Sequence, residues 1–425
     1  MSMSESTGQS LKRELDARTG TLFTAAMIVG TGIFAALGAA TDAAGTGVLV
    51  AMLLGGTVAL ATGISAAQLG VNNPEEGGAF TWARAFGHDT IGFIAGCGYL
   101  GKAIVSTSVV ALMFATYLGQ VVPDLPVRVV APVAVLAVTG FNILGIELTS
   151  RVLIGLLAVL VGLLAIYCAT AFHAVDPARL MPIFGDKGLA GVLTGAALFF
   201  WSWDGFMRTA IMASEMKDPR RSIPISIVGG VAVAAVVFLT VGAITLGVEG
   251  AQQVGGQDTP LLSAAATAAG SAVWAVFAAA LVATFYDIIG ILLTASRVGL
   301  AMARARELPG WLAGVHARFR TPYRSVIALG LVSALLALAF DLRSLLAVAS
   351  AFMVVWYLVT HQAALELPKG KRIASPLFSW YGVVGCVALV LSLPPLATAA
   401  AAGVLAALVG VRWVLRRTPR RATPA

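Results

Sequence analysis

Four ionisable residues lie inside long apolar runs of this sequence, where water would not normally solvate a charge. They are Lys102, Asp204, Arg208 and Asp287. In a helix surrounded by lipid each such charge costs about 2.5–3.5 kcal/mol on insertion scales, so each requires a partner or a role. Two positive and two negative groups allow every charge to be paired. Residues of this kind commonly mark the path of a substrate, an ion or a proton.

Glycine-containing segments interrupt two of the apolar runs, at Gly30–Phe34 in the first run and Ser202–Phe206 in the sixth. A glycine inside a helix costs about 1 kcal/mol relative to alanine, so its presence calls for an explanation. One explanation is close packing of helices through small residues. The other is an unwound segment whose free backbone groups line a cavity away from lipid. The spacing of five runs favours the second explanation, because an inverted repeat places paired breaks around a central substrate site.

The composition excludes a soluble protein. Hydrophobic residues make up 59% of the 425 residues, charged residues make up 11%, and the mean hydropathy is +0.91. A soluble chain of this length needs a more highly charged surface. The net charge of +8 does not indicate nucleic-acid binding, because the basic residues form short tracts between apolar runs. We therefore predict an all-α integral membrane protein in contact with the lipid bilayer.

The apolar runs number twelve, and most reach the 20 or so residues that cross about 30 Å of hydrocarbon. The fourth, ninth and eleventh runs are short. The runs lie near 21–41, 46–69, 90–118, 126–142, 149–172, 189–213, 224–247, 271–301, 323–340, 344–365, 377–393 and 395–414. The sequence therefore predicts about twelve transmembrane helices.

Basic residues are unequally distributed between the loops. With the amino terminus inside, the external loops contain only Arg128, Arg179, Lys187 and Arg343, whereas the internal segments carry the basic tracts. Positively charged loops remain on the cytoplasmic side. We therefore expect a multi-pass protein of the cytoplasmic (inner) membrane with both termini in the cytoplasm.

Four motifs, in this order along the chain, carry a family resemblance. They are Gly30–Phe34, the pair Glu76–Phe80 and Arg84–Gly87, the stretch Phe199–Pro224, and the segments between Ala295 and Pro322. Together they resemble the permeases of the amino acid–polyamine–organocation superfamily. The resemblance implies the leucine-transporter fold, with a five-plus-five inverted repeat and two additional helices. It also implies a secondary active transporter that moves an amino acid or a related amine by alternating access.

This resemblance predicts how the chain is divided. A cytoplasmic tail over residues 1–20 precedes a transport core over 21–366, whose repeats cover about 21–172 and 189–366. Two further transmembrane helices follow over 377–415, and a basic cytoplasmic tail follows over 416–425.

The two breaks are the predicted substrate site. The half-helix after Gly32 presents unpaired N–H groups and the positive end of its dipole to a carboxylate. Free carbonyls of both breaks can accept hydrogen bonds from an ammonium group. Trp201 matches an aromatic gate of some relatives, or simply fills space between helices. The candidate substrate-binding residues are Gly30, Thr31, Gly32, Ile33, Trp201, Ser202, Asp204, Gly205 and Arg208.

The intramembrane charges allow several arrangements. Asp204 and Arg208 are four residues apart and would share a face of a continuous helix, which predicts a local ion pair. Alternatively, Arg208 binds a second carboxylate of the substrate, or Asp204 accepts a substrate amine. Asp287 either takes part in coupling or neutralises Lys102 or Arg208.

Coupling is predicted to use a proton, with sodium as an alternative. In several proton-coupled relatives a lysine of helix 5 replaces the sodium ion, but the matching position here is Leu160. Asp287 and Lys102 are therefore the candidate ion-coupling residues. A carboxylate among apolar helices can titrate, unless a neighbouring cation makes it a fixed counter-ion.

Motifs for other chemistry are missing from the sequence. The four histidines are predicted to be solvated or to cap helices, His361 among them near the cytoplasmic end of the tenth helix, and none has a metal-ligand partner at helical spacing. We expect no metal, no cofactor and no enzymatic activity. The rival interpretations are a solute-binding sensor without translocation and, more remotely, an intramembrane enzyme.

Overall fold

The computed structural model describes residues 16–73, 77–144, 150–185, 187–211, 216–319 and 321–417, without the side chains of 150–153 and 211. Within these residues the chain forms α-helices, short 3-10 turns and connecting loops, and no strand is present. The predicted all-α fold class is therefore confirmed. Glu76 and residues 212–215 of the stretch Phe199–Pro224, which carry part of the family resemblance, lie outside the described part.

Seventeen α-helices occur in the described residues. In chain order they are α1 (Ala17–Ile28), α2 (Gly32–Ala44), α3 (Val48–Asn72), α4 (Ala79–Ala85), α5 (Asp89–Gly119), α6 (Val127–Ile143), α7 (Ser150–Ala171), α8 (Gly188–Phe199), α9 (Phe206–Ile211), α10 (Pro219–Glu249), α11 (Ala251–Gly255), α12 (Pro260–Ala268), α13 (Ala272–Arg304), α14 (Tyr323–Ala339), α15 (Leu342–Glu366), α16 (Pro376–Ser392) and α17 (Pro395–Arg417).

These helices account for all twelve predicted spans. Among the described residues, 7 apolar stretches are long enough to cross a membrane, and the first of them joins α2 to α3. Shorter apolar helices supply the remaining spans: α6, α14 and α16, whose apolar runs were predicted to be short, and α8, whose span is interrupted. Most helix boundaries agree with the predicted runs to within a few residues, and the largest difference is at the start of α10.

Three short helices were not predicted. Helix α4 follows α3, while α11 and α12 lie between α10 and α13. They are too short to span a bilayer, so a search for long apolar runs passes over them. Helix α12 begins at Pro260, whose fixed φ suits the first turn of a helix.

Two spans are broken, and they are the first and the sixth. Helix α1 ends at Ile28 and α2 begins at Gly32, while α8 passes through the 3-10 turn Phe200–Trp203 before α9 begins at Phe206. The second break depends on Gly205, whose φ of +127° is a conformation that other residues rarely adopt. The five-span separation is the relation that the inverted repeat predicts.

Helix α5 provides the scaffold beside these breaks. It packs against α13, α14 and α15, and α13 in turn packs against α7. All of these helices are continuous, so they present side chains to the breaks from fixed positions.

An ionic cluster joins three segments at one end of the bundle. The side chain of Glu307, which follows α13, is 1% exposed. It accepts hydrogen bonds from Arg84 of α4 at 2.9 Å and from Arg412 and Arg416 of α17 at 2.7 Å each. Asn72, at the end of α3 that precedes α4, contacts the loop Lys369–Arg372, so this loop lies at the same end of the bundle. We call this end the basic end.

Glu307 should stabilise the folded protein through these contacts. Burial raises the pKa of Glu307. Three arginines lower it by more: Arg412 through a hydrogen bond and its charge, and Arg416 and Arg84 through their charges. The pKa of Glu307 therefore lies below the ordinary 4.5. The glutamate therefore remains ionised between three arginines, of which Arg84 and Arg416 are partly exposed.

We predict that Glu307→Gln lowers the free energy of unfolding by about 2 kcal/mol, because it leaves the arginines without their carboxylate. Thermal unfolding in detergent measures the change. Since the pKa of Glu307 is lowered by folding, its contribution is present above pH 4.5 and is lost as the pH falls through the lowered value. The difference between wild type and variant should therefore shrink only below pH 4.5.

Glu366→Gln is the matched control. Glu366 accepts from His88 at 2.9 Å, but both side chains are partly exposed, so its removal should cost about 0–1 kcal/mol. Equal destabilisation by the two variants would contradict the importance of the Glu307 cluster.

Candidate functional site

The two breaks enclose a small cavity at the centre of the bundle. Its volume is about 20 Å³, which is room for a water molecule. The cavity is lined by Met27, Ile28, Gly32, Ser106, Trp201, Ser202, Asp204, Arg208, Asp287 and Ile291. Seven of these residues come from the two breaks and their flanks, so the two breaks meet at this cavity, as predicted.

Close backbone contact between the breaks requires glycine at two positions. A Cβ atom on Gly205 would lie 2.2 Å from the carbonyl oxygen of Met27, and one on Gly32 would lie 2.7 Å from the Cα of Ser202. Neither contact can be relieved by rotating a side chain, because the atoms met include backbone. The small residues therefore serve close approach as well as unwinding, which the sequence analysis had treated as alternatives.

The unwound segments differ in detail from the prediction. Gly32 and Ile33 already belong to α2, so the first break covers residues 29–31, and the second unwinding begins at Phe200. The N–H of Phe34 in the first turn of α2 donates to the carbonyl of Thr31 at 3.1 Å, whereas those of Gly32 and Ile33, the first two residues, have no acceptor within the helix. Several break carbonyls are occupied: those of Ile28 and Gly205 accept backbone N–H groups, and that of Val29 accepts the Tyr286 hydroxyl. Fewer carbonyls are free than the sequence analysis expected.

Trp201 forms a fixed aromatic wall of the cavity. Its Nε1 donates to the Ser106 hydroxyl of α5 at 2.7 Å, and the ring is buried. The Ser202 hydroxyl beside it is buried, and no described residue lies within hydrogen-bond distance of it. Ser202 thus offers a polar group at the cavity wall.

Lys102 and Asp204 form the first of two buried ion pairs. Lys102, on α5, is 3% exposed, and its ammonium group donates to Asp204. The second carboxylate oxygen of Asp204 accepts from the Tyr357 hydroxyl of α15 at 2.9 Å. Both oxygens of Asp204 are therefore bound by residues of continuous helices.

Arg208 and Asp287 form the second pair. Arg208 is 4% exposed and Asp287 is 8% exposed. Their closest nitrogen and oxygen atoms are 3.6 Å apart. The other oxygen of Asp287 accepts from the Thr31 hydroxyl at 2.6 Å. A carboxylate partner for Arg208 was predicted, and it is confirmed.

The predicted local pair between Asp204 and Arg208 is wrong. The four-residue spacing brings side chains together only when all the intervening residues are helical. Here α9 begins at Phe206, so Asp204 precedes the helix and turns toward α5. The interpretation of Asp287 as the counter-ion of Arg208 agrees with the geometry.

Several residues at the site were missed. Ser106 and Tyr357 bind predicted site residues, and Tyr286 precedes Asp287 in the sequence. Their only sequence signal is a hydroxyl inside an apolar run, which is common in membrane helices that pack together.

The predicted role of His361 is also wrong. It is fully buried within α15, not solvated, and its ring nitrogens lie 3.0 Å from the hydroxyls of Thr62 and Ser65 on α3. A buried imidazole needs partners for both nitrogens, and two hydroxyls one turn apart provide them.

About twelve membrane spans, two of which are broken and face each other around a polar cavity, are the arrangement of a class of membrane transporters. The family model for amino acid permeases matches residues 20–406. The chain therefore belongs to the amino acid permease family, which confirms the superfamily resemblance.

Individual relatives cover nearly the whole chain. An uncharacterized transporter of Mycobacterium tuberculosis is 32% identical over 419 residues, which are 97% of this chain and 94% of that protein. The branched-chain amino acid permease of Bacillus subtilis is 29% identical, covering 91% of this chain and 89% of its own length. The chloroplastic cationic amino acid transporter 7 of Arabidopsis thaliana is 27% identical, covering 79% and 62%.

We predict that Gly205→Ala abolishes transport, because its Cβ would collide with the Met27 carbonyl and the φ of +127° would be strained. Uptake into liposomes measures the loss, and gel filtration separates lost activity from lost folding. Gly162→Ala on α7 is the matched control, since nothing lies within 4 Å of its Cβ position. An active Gly205→Ala protein would show that the breaks can separate without loss of function.

Proposed function

We propose that this protein is a secondary active transporter that carries a neutral amino acid by alternating access, coupled to protons. The observation that carries this proposal is the meeting of two helix breaks at a cavity whose buried charges are already paired. Membership of the amino acid permease family supports amino acid transport, and the site residues suggest how the substrate is read.

The backbone groups of the breaks suit the common part of an amino acid. The N–H groups in the first turn of α2, beside Thr31, Gly32 and Ile33, attract a carboxylate through their partial positive charge. Free carbonyls in the breaks and the Ser202 hydroxyl accept from an ammonium group. Trp201 and Ile291 give the cavity an apolar wall, against which the side chain would pack once the site opens.

Charge balance favours a substrate without net charge. Lys102 with Asp204 and Arg208 with Asp287 sum to zero when all are ionised. A net charge brought into this dry site would lose its hydration and find no free counter-ion. A zwitterion supplies its own balance. A second carboxylate would have to displace Asp287 from Arg208, and a cationic side chain would have to displace Lys102 from Asp204.

The cavity volume supports a moving site. About 20 Å³ holds a water molecule but not an amino acid. Substrate entry therefore requires the broken helices to separate from the scaffold of α5 and α13, and closure around the substrate would follow. Such a closed state between two open states is what alternating access requires.

We assign coupling to Lys102 in preference to Asp287. An arginine does not give up its proton in proteins, so protonation of Asp287 would leave Arg208 with an unpaired buried charge. A lysine can release its proton in a buried site, and Asp204 would then keep the hydrogen bond from the Tyr357 hydroxyl. Lys102 also faces the substrate break through Asp204, which links its protonation to the position of that break.

The first test compares substrates in liposomes that contain the purified protein. We expect uptake of labelled leucine, with glutamate and lysine at least about tenfold slower, a difference of roughly 1.4 kcal/mol. The Gly205→Ala protein is the inactive control. Preferential uptake of a charged amino acid would contradict the charge-balance argument.

A thermal-shift screen of the same solutes accompanies this test. A ligand that binds only the folded protein raises the unfolding temperature. Binding without uptake would overturn the transporter proposal and favour a sensor.

A second test addresses coupling through Lys102→Arg. The arginine retains the positive charge opposite Asp204 but cannot release a proton. We expect this variant to exchange labelled for unlabelled substrate, at a reduced rate, and to lose accumulation driven by a proton gradient. Asp287→Asn should impair both activities, because it leaves Arg208 unpaired. Full proton-driven accumulation by Lys102→Arg would exclude Lys102 as the proton carrier.

A further inference from the structure

A groove lies between α3 and α16 and shares no lining residue with the central cavity. Its volume is about 370 Å³. Thr57, Leu60 and Ala61 form one wall, and Leu377, Phe378 and Tyr381 form the other. Both helices are membrane spans, so the groove opens to the hydrocarbon region of the bilayer.

The polar atoms of the groove are already paired. The hydroxyls of Thr57 and Tyr381 are hydrogen-bonded to each other at 2.6 Å. The Ser375 hydroxyl, at one end of the groove, accepts from the N–H of Leu377. What remains for an occupant is apolar surface, including the exposed side chains of Leu377 and Phe378. An alkyl chain fits these walls, and a polar ligand does not.

Basic residues lie near Ser375, which is at one end of the groove. The loop Lys369–Arg372 directly precedes α16, and its Lys371 carbonyl accepts from Asn72 of α3 at 2.9 Å. This hydrogen bond holds the loop across the basic ends of the two helices that form the groove. The loop therefore lies where an alkyl chain in the groove would continue into its polar head group.

Two lysines of this loop are available to an anion. Lys369 and Lys371 are exposed, and no carboxylate of the described residues forms an ion pair with either. Glu366, the nearest acidic residue in sequence, is engaged by His88. Arg372 is used internally, since its guanidinium donates to the carbonyls of Leu367 and Leu365.

We propose that the groove between α3 and α16 binds an anionic phospholipid, with one acyl chain in the groove and the phosphate at Lys369 and Lys371. Acyl chains fit any apolar surface of a membrane protein about equally well. Selectivity for an anionic head group therefore comes from the two lysines, each of which favours an anionic lipid by about fivefold near the surface.

The test uses native mass spectrometry of the purified full-length protein. Phosphatidylglycerol or phosphatidylcholine with identical acyl chains is added at equal ratios. We expect the wild type to retain at least about fivefold more phosphatidylglycerol than phosphatidylcholine. Equal retention of the two lipids would overturn the proposal.

Two variants locate the site, and each has a control. The double variant Lys369→Gln with Lys371→Gln should remove the preference, whereas Lys187→Gln, at an exposed lysine before α8, should keep it. Ala61→Phe, which adds a ring at the groove wall, should reduce retention of both lipids. Leu335→Phe, at an apolar position on α14 outside the groove, is the control for an added ring.

Each outcome decides the proposal. An unchanged preference in the double lysine variant places the anion elsewhere and overturns it. If Ala61→Phe fails to fold, the lysine variants still give the answer. If Ala61→Phe instead converts a dimer to a monomer and leaves lipid retention unchanged, a second copy of the chain occupies the groove and the proposal is wrong.

Discussion

Asp287 is the group on which the arrangement of the first break depends. One carboxylate oxygen accepts the Thr31 hydroxyl and the other faces the guanidinium of Arg208, so a residue of continuous α13 holds both broken helices. Its carboxylate also lies against the backbone at Gly30, where a Cβ would approach within 3.0 Å. Unwound backbone inside a membrane persists only where protein satisfies it, and Asp287 with Tyr286 provides that environment. The second break is held in the same manner by Lys102 and Tyr357.

Both ion pairs, Lys102 with Asp204 and Arg208 with Asp287, join a broken helix to a continuous one. A buried carboxylate cannot lose its cation without a cost of several kcal/mol, so the pairs are broken only when water or a new charge replaces the partner. In the proposed transport cycle, a zwitterionic substrate would bring both signs of charge and would compensate locally as the breaks separate. The pairing of all four buried charges therefore supports the proposal of a neutral amino acid over a charged one.

The sequence predicts the spans well because hydropathy and length are local properties. The two breaks were also predictable, since glycines in long apolar runs need a cause and these two lie five spans apart. Pairing was not predictable to the same degree. Lys102 and Asp204 meet from distant parts of the chain, and the local rule that joined Asp204 to Arg208 failed because the helix starts after Asp204.

The roles of single polar residues were also not predictable from the sequence. Ser106, Tyr286 and Tyr357 take part in the site, yet in sequence each is one hydroxyl among many in apolar helices. His361 lies near the end of α15, as predicted, but the packing of α15 against α3 and α16 buries it, so the predicted solvated or capping role is wrong. Contacts between helices set these roles, and a single sequence does not contain the contact pattern.

Polar contacts also explain how the last two helices, α16 and α17, are attached to the rest of the bundle. Lipid tails are as apolar as leucine side chains, so hydrophobic burial alone gives little reason for α16 and α17 to associate with the core. Helix α16 instead meets α3 through the Ser65–Ser379 bond of 2.9 Å, and Gly382 gives space to the ring of His361.

Helix α17 is attached by charge. Arg412 donates to Glu307 at 2.7 Å, in the cluster that also holds Arg84 of α4. Both attachments are at or beside the basic end of the bundle, and neither involves the residues of the two breaks. The polar contacts that fix α16 and α17 are therefore independent of those that fix the two breaks. In the proposed transport cycle, α16 and α17 would hold α3 and the end of α13 in place while the broken helices move.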